Sequence, residues 1–238
     1  HDTDNDGSSA TAFTQRAWDT TKQASPATVA ALMAAIQSEL DVNAAIPDDA
    51  FCNHPAATIA LPTDGCSPVF RRQYPIADKL RPFVTDQVSR WYAVGRIERA
   101  PRDSPWNHPL TVARKKDLLG LHTKHRLCMD PRTLNAHLLK VLDVFNQVPR
   151  TNELFDKLRG FKIASSLDLR ESFLQFPLAP EDRNKTTFTW GNERYRFVGC
   201  PFGLNLLSGK FQYAMEVMLD GCHHFIIVFI DDVNIFSN

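Results

Sequence analysis

Phe225-Ile226-Ile227-Val228-Phe229-Ile230-Asp231-Asp232-Val233-Asn234-Ile235-Phe236 runs six apolar residues into two adjacent carboxylates, then back into apolar residues. The pattern predicts a hairpin whose tip carries Asp231 and Asp232. Like charges that close raise each other's pKa, and burial beside them adds a desolvation cost. A divalent cation is the usual compensation, with Mg²⁺ taking carboxylate and phosphate oxygens together.

Outward from the hairpin, residues 161–169 read as a strand that delivers a third acid, Asp168, at its end. If the two strand systems are neighbours in one sheet, the three carboxylates converge on a single edge. Such an edge suits two divalent cations roughly 3.5–4 Å apart, one activating an attacking oxygen and one holding a leaving phosphate. Further upstream, residues 110–113 form a short strand entering Arg114-Lys115-Lys116-Asp117, and a loop through Gly120 leads to a return strand at 126–129. This basic-tipped hairpin could contact the phosphates of a substrate.

The remaining segments are readable by their caps and periods. Residues 1–24 are polar and predicted to be disordered. Ser25-Pro26 is an N-cap followed by Pro at N1. It opens an Ala-rich helix with an apolar stripe at Val29, Leu32, Met33, Ile36 and Leu40, ending near Asn43. Residues 44–77 are Pro-rich and predict an extended arm. A second helix covers 80–94, with Leu80, Val84, Val88 and Trp91 on one face and Gly95 as its stop. Thr151 caps a short helix ending at Gly160. Strands at 185–190 and 194–198 flank the Gly191-Asn192 turn. A helix at 208–220 ends at Gly221.

Across the 238 residues, 43% hydrophobic and 23% charged content is ordinary for a globular chain, and no apolar run is long enough to span a membrane. The chain starts at His1 rather than Met, as a piece of a longer protein does. Five scattered cysteines without a CxxC pair favour reduced thiols inside a cell over a disulfide framework. His122, His125 and Cys128, and likewise Cys222, His223 and His224, are spaced loosely like metal ligands. Neither set has a second spaced pair, so zinc is disfavoured. Net charge is zero, yet residues 1–65 hold nine acids and two bases, which leaves the remainder at +7. Much of that excess lies between Arg71 and Arg126, where a polyanion or simply a solvated charged face accounts for it.

Several motifs together resemble one family, the reverse transcriptases of gypsy-type long-terminal-repeat retrotransposons, from about His54 to Asn238. Phe229-Ile230-Asp231-Asp232 is similar to the Tyr-x-Asp-Asp motif, and Ser166-Leu167-Asp168-Leu169 to the strand bearing the first catalytic aspartate. Pro201-Phe202-Gly203-Leu204 with Phe211-Gln212 resembles a further signature. Ser104-Pro105-Trp106, Arg114-Lys115-Lys116-Asp117, and Arg126 through Asp130 to Arg132-Thr133-Leu134-Asn135 follow the order of the fingers signatures.

The resemblance implies an α/β (α+β) right-hand polymerase, with fingers interleaved into a ferredoxin-like palm and no thumb in this chain. It divides the chain into a tail and Ala-rich helix at 1–50, an arm and helix at 51–103, and fingers with a partial palm at 104–238. It implies RNA-directed DNA polymerase activity from a polyprotein fragment, on an RNA or DNA template with a primer and dNTP, within the cytoplasm (in a virus-like particle) or the nucleus. Asp168, Asp231 and Asp232 would be the catalytic acids and, with the backbone carbonyl of Leu169, hold two Mg²⁺ ions, Mn²⁺ being the alternative. Lys115 and Arg126 would grip the triphosphate, and Glu171 and Ser172 would offer backbone amides. Phe173 would exclude a ribose 2′-hydroxyl, while Phe202 and Gly203 would lie against nucleotide and template. Gln212 reads equally as polar support behind the site or as a helix-surface residue.

The chain departs from the family pattern at several points. Phe229 replaces a Tyr, Glu171 stands where small or polar residues are common, and the loop from Leu118 to His125 is longer than usual. Asn205-Leu206-Leu207-Ser208-Gly209-Lys210 lacks the usual helix-starting Pro and places two leucines near the presumed nucleotide or template. An inactive or domesticated remnant that binds nucleic acid or a protein partner is therefore the alternative, and a two-metal nuclease a distant third.

Overall fold

The structure, a computed structural model, describes residues 25–63, 65–116, 122–139 and 163–237. The expected polar tail at 1–24, residues 117–121 of the loop through Gly120 and the short helix from Thr151 to Gly160 lie outside the described residues, while residues 122–125, expected in that loop, already belong to the return strand. Contacts divide the chain into two units, His1–Ile46 and Pro47–Asn238.

In the first unit, α1 (Pro26–Ala35) and α2 (Gln37–Ala44) occupy the stretch expected to be one helix. Ser25 caps α1 as its chemistry predicts, its hydroxyl accepting from the Thr28 amide at 3.1 Å, with Pro26 at N1. The helix breaks at Ile36, whose φ of −106° and ψ of 7° leave the helical basin, a departure that β-branching favours. No residue of either helix is buried.

The second unit runs α3 (Arg81–Ala93), β1 (Ile97–Arg99), β2 (Leu110–Lys116), β3 (His122–Met129), α4 (Arg132–His137), β4 (Ile163–Asp168), β5 (Phe188–Trp190), β6 (Glu193–Phe197), α5 (Leu207–Met218), β7 (Ile226–Phe229) and β8 (Asp232–Ser237). Its strands form three antiparallel sheets, ordered β1-β6-β5, β2-β3 and β4-β8-β7. Helix and sheet are therefore mixed, as expected.

The apolar stripe on α3 buries Val84, Val88 and Trp91, and Trp91 meets Phe197 edge-on at 5.4 Å. Gly95 ends the helix with φ +66°, a conformation that costs glycine little. The described part of the Pro-rich arm is irregular, as expected, with one 3-10 turn at Pro55–Ala57, and it contributes Ala57, Ile59 and Leu61 to the core. Ile59 bridges to Leu178, donating to the Pro177 carbonyl and accepting from the Ala179 amide, each at 2.9 Å. No helix among the described residues is long and apolar enough to cross a membrane.

One expected strand is shorter than its sequence suggests. Residues 185–186 belong to a 3-10 helix, Pro180–Thr186, and the strand starts only at Phe188. The hydroxyls of Thr186 and Thr187 donate to the Arg183 and Asn184 carbonyls, each at 2.7 Å, closing helical turns where β-branching alone suggested a strand. Lys185 is also committed to the arm. Its ammonium contacts the Leu61 carbonyl at 2.7 Å and Asp182 at 2.6 Å, while Asp182 accepts from the Leu61 amide at 2.7 Å.

Lys185 also offers its carbonyl, 2.9 Å from Nε2 of the buried His108, so that nitrogen carries the proton. Nδ1 is buried without a partner. Burial pushes the imidazole pKa down, against the smaller upward pull of the Lys185 carbonyl and Asp130. The unfolded chain then binds a proton that the folded chain refuses. The stabilising effect of neutral His108 is complete above about pH 6.5 and lost below it, by up to about 1.4 kcal/mol per pH unit. Urea midpoints measured at pH 7.5, 6 and 5 should fall in the native chain and fall less in His108→Gln. Equal falls would acquit His108.

Candidate active site

Phe229 pairs with Asp232 across β7 and β8, which leaves Ile230 and Asp231 as a two-residue hairpin loop. Such loops need a positive φ at the first residue, and here a β-branched Ile supplies it, at +56°. An unfavourable backbone of this kind persists only where its surroundings over-determine it. The strap is Gln212 on α5, which is 1% exposed. Its Oε1 accepts from the Ile230 amide at 2.8 Å, and its Nε2 donates to the Val228 carbonyl at 3.1 Å and to Glu216 at 2.9 Å. Of the two roles open for Gln212 in the sequence, the contacts are those of a support.

Gln212→Met should leave the Ile230 amide and the Val228 carbonyl unpaired, at a cost of about 1–3 kcal/mol. Urea unfolding reads that cost, and hydrogen exchange at Ile230 should accelerate. Unchanged exchange at Ile230 would mean that the strap does not hold the turn.

β4 lies beside β8, with Asp168 directly opposite Asp232 and Leu167 opposite Val233. The Leu169 amide reaches the Asp231 carbonyl at 3.4 Å. Asp168, Asp231 and Asp232 thus share one sheet edge, the adjacency that was conditional in the sequence. Partial burial raises the Asp232 carboxyl above the usual carboxylate range, and the charges of Asp231 and then Asp168 raise it further. Cross-strand like charges are unfavourable. An all-carboxylate edge under that pressure is chemically suited to a hard divalent cation. Among the described residues, no three His, Cys, Asp or Glu side chains close into a formed metal cage.

Beside this edge lies a cleft of about 680 Å³. Asp168, Leu169, Glu171, Ser172, Phe202, Asp231 and Arg126 all line it. Arg126 reaches it from β3, its guanidinium 4.9 Å from the centre of the Phe202 ring. Phe202 meets Phe173 edge-on at 5.4 Å, Phe173 meets Phe211 at 5.1 Å, and Phe211 stacks on Phe176 at 4.3 Å. This aromatic file ties the wall of the cleft to the core. Lys115 lies on β2 with its backbone opposite Lys124, one turn of the pleat from the Ala113–Arg126 pair.

The loop after Asp168 is bent at Glu171, which has φ +48°. The Leu174 amide donates to the Glu171 carbonyl at 2.8 Å, and the Gln175 side chain donates to the Arg170 carbonyl. Gly203 has φ +98°, and a Cβ there would meet the Pro131 ring at 3.1 Å, so this position takes only glycine without strain. Asn135 pins the same turn, donating to the Gly203 carbonyl at 2.8 Å and accepting from the Asn205 amide at 3.1 Å. The two unexpected leucines turn away from this chemistry. Leu207 is buried in the core, and Leu206 packs half-buried against it. Arg90 and Gln87, on α3, also line the cleft. Sequence reasoning missed them because nothing local reveals which helix faces a loop some 80 residues away.

A family model described as reverse transcriptase (RNA-dependent DNA polymerase) matches residues 113–238. The chain is 34% identical over 185 residues to the retrovirus-related Pol polyprotein from transposon gypsy of Drosophila melanogaster, covering 76% of this chain and 17% of that protein. To the corresponding polyprotein from transposon 297 of the same species it is 30% identical over 178 residues, covering 74% and 16%. The enzymatic polyprotein of figwort mosaic virus (strain DxS) is 36% identical over 93 residues, covering 39% and 14%. The chain thus spans less than a fifth of the length of these relatives.

Proposed function

As the chain belongs to the reverse transcriptase family, we propose that its cleft adds deoxynucleotides to a primer 3′-hydroxyl along an RNA or DNA template. The observation that carries the proposal is the register of β4, β8 and β7. It gathers Asp168, Asp231 and Asp232 on one edge, beside a cleft that Arg126 enters. In this reading, residues 104–238 supply fingers and part of a palm, and 51–103 brace them.

Asp168 and Asp231, with Asp232 and the Leu169 carbonyl, would hold two Mg²⁺ ions, or Mn²⁺ in their place. Bound there, such ions supply charge neutralisation at phosphate oxygens and a more acidic primer hydroxyl. The chain's own part is alignment and charge, since phosphoryl transfer asks little covalent work of a protein. Arg126, whose guanidinium lies over the Phe202 ring, presents a planar fork to the triphosphate, and Lys115 adds a mobile charge. The amides of Glu171 and Ser172 donate to phosphate oxygens. Phe173 closes the space beneath the sugar against a 2′-hydroxyl, while Phe202 and the Gly203 turn bound the nucleotide and template. The primer oxygen attacks the α-phosphate in line, forming the new P–O bond as the bond to pyrophosphate breaks. Template and primer are held through their phosphates, so binding weakens as salt rises.

The test is extension of a DNA primer annealed to an RNA strand. Addition of the templated nucleotide only when a divalent cation is supplied supports the reading. Addition that ignores the template, or none at all, contradicts it.

A further inference from the structure

The cleft contains a cation that none of the sequence motifs carries. Arg90 reaches it from α3, and its Nη2 lies 3.3 Å from Glu171 Oε1 and 3.1 Å from Gln87 Oε1. The contact with Glu171 is single-pronged, and the two side chains are 62% and 34% exposed. Exposed pairs of this kind contribute little and exchange readily. Glu171 itself stands at the left-handed bend that follows Asp168, so its carboxylate faces the same space as the acidic edge.

A polyphosphate entering this space meets that carboxylate as a repulsive neighbour. It also offers a guanidinium two parallel oxygens and more negative charge than one carboxylate does, which is the partner arginine prefers. We propose that Arg90 is a further substrate-binding residue, released from Glu171 to the phosphates of the incoming nucleoside triphosphate, with Glu171 as its resident competitor. The inference rests on the polymerase reading and names a residue that the motifs omit. The same chemistry could serve a backbone phosphate of the template–primer, and the experiment separates the two.

Single-nucleotide addition is measured with Arg90→Gln, Glu171→Gln and the double variant, together with template–primer affinity by fluorescence anisotropy. Arg90→Gln should raise the KM for dNTP by about tenfold, with the smaller part of the effect in kcat. Glu171→Gln should lower that KM, and by more while Arg90 is present than in the Arg90→Gln background, where only the direct repulsion is relieved. If the pair merely ties α3 to the loop, both single substitutions break the same tether and act in the same direction, which overturns the proposal. Weakened template–primer affinity with an unchanged KM also overturns it. A native chain that adds no templated nucleotide defeats the polymerase reading, and this inference with it. A native chain that does so with an Arg90→Gln variant of unaltered KM defeats the inference alone.

Discussion

Asp231→Asn should abolish templated nucleotide addition, lowering it by on the order of 10³ or more, and leave the fold intact. The size follows from the several kcal/mol that charge neutralisation at the transferring phosphate supplies, each 1.36 kcal/mol being tenfold in rate. The specificity follows from what Asp231 does structurally. It gives the fold its backbone carbonyl, which accepts from Leu169, and the substitution keeps that carbonyl. Its carboxylate, in contrast, adds to the pressure that raises the Asp232 carboxyl, so removing the charge relieves the acidic edge. The variant should therefore melt at the native temperature or slightly above, while primer extension falls to background. Extension that survives the substitution removes Asp231 from the site, and a large drop in melting temperature reassigns it to the fold.

Phe173→Ala should admit ribonucleotides. The ring is half-buried and packed edge-on against Phe202 and Phe211, contacts that would oppose its swinging aside for a larger sugar. A difference of about one small group in a packed pocket is worth roughly ten- to two-hundredfold in discrimination, and the ratio of kcat/KM for dNTP over rNTP should fall by that much. Truncating the ring also costs stability, up to about 3 kcal/mol for a side chain only partly enclosed. The ratio is measured on one preparation and is unaffected by how much of it is folded. An unchanged ratio would leave Phe173 as a core residue alone.

The hairpin tip was legible because its signal is local: two residues between apolar runs, with the acids at the turn. The capping of α1, the face of α3 and the Gly191-Asn192 turn were legible for the same reason. The pairing of β4 with β8 was not. More than 60 residues separate Asp168 from Asp232, so the sequence could state their meeting only as a condition, which the resemblance to a family then favoured. Gln212 illustrates the limit more sharply. One glutamine on a helix has no pattern, and its role appears only where the chain returns with a backbone amide at Ile230. Residues 185–187 misled through their own chemistry, since threonine favours strands by branching yet can close a helical turn through its hydroxyl. At Leu206 and Leu207, sequence order suggested intrusion into the site, whereas the helical register sends Leu207 into the core.

That the acidic edge is a metal-bearing site can be tested without turnover. Fe²⁺ substituted for Mg²⁺, with ascorbate and peroxide, generates radicals that cut the backbone beside the bound ion. Cleavage should map to two places far apart in sequence, around Asp168 and around residues 230–232, and both should fade together with excess Mg²⁺ and in Asp231→Asn. Cleavage confined to the 222–224 Cys/His segment, or none at either aspartate-bearing strand end, would contradict the assignment.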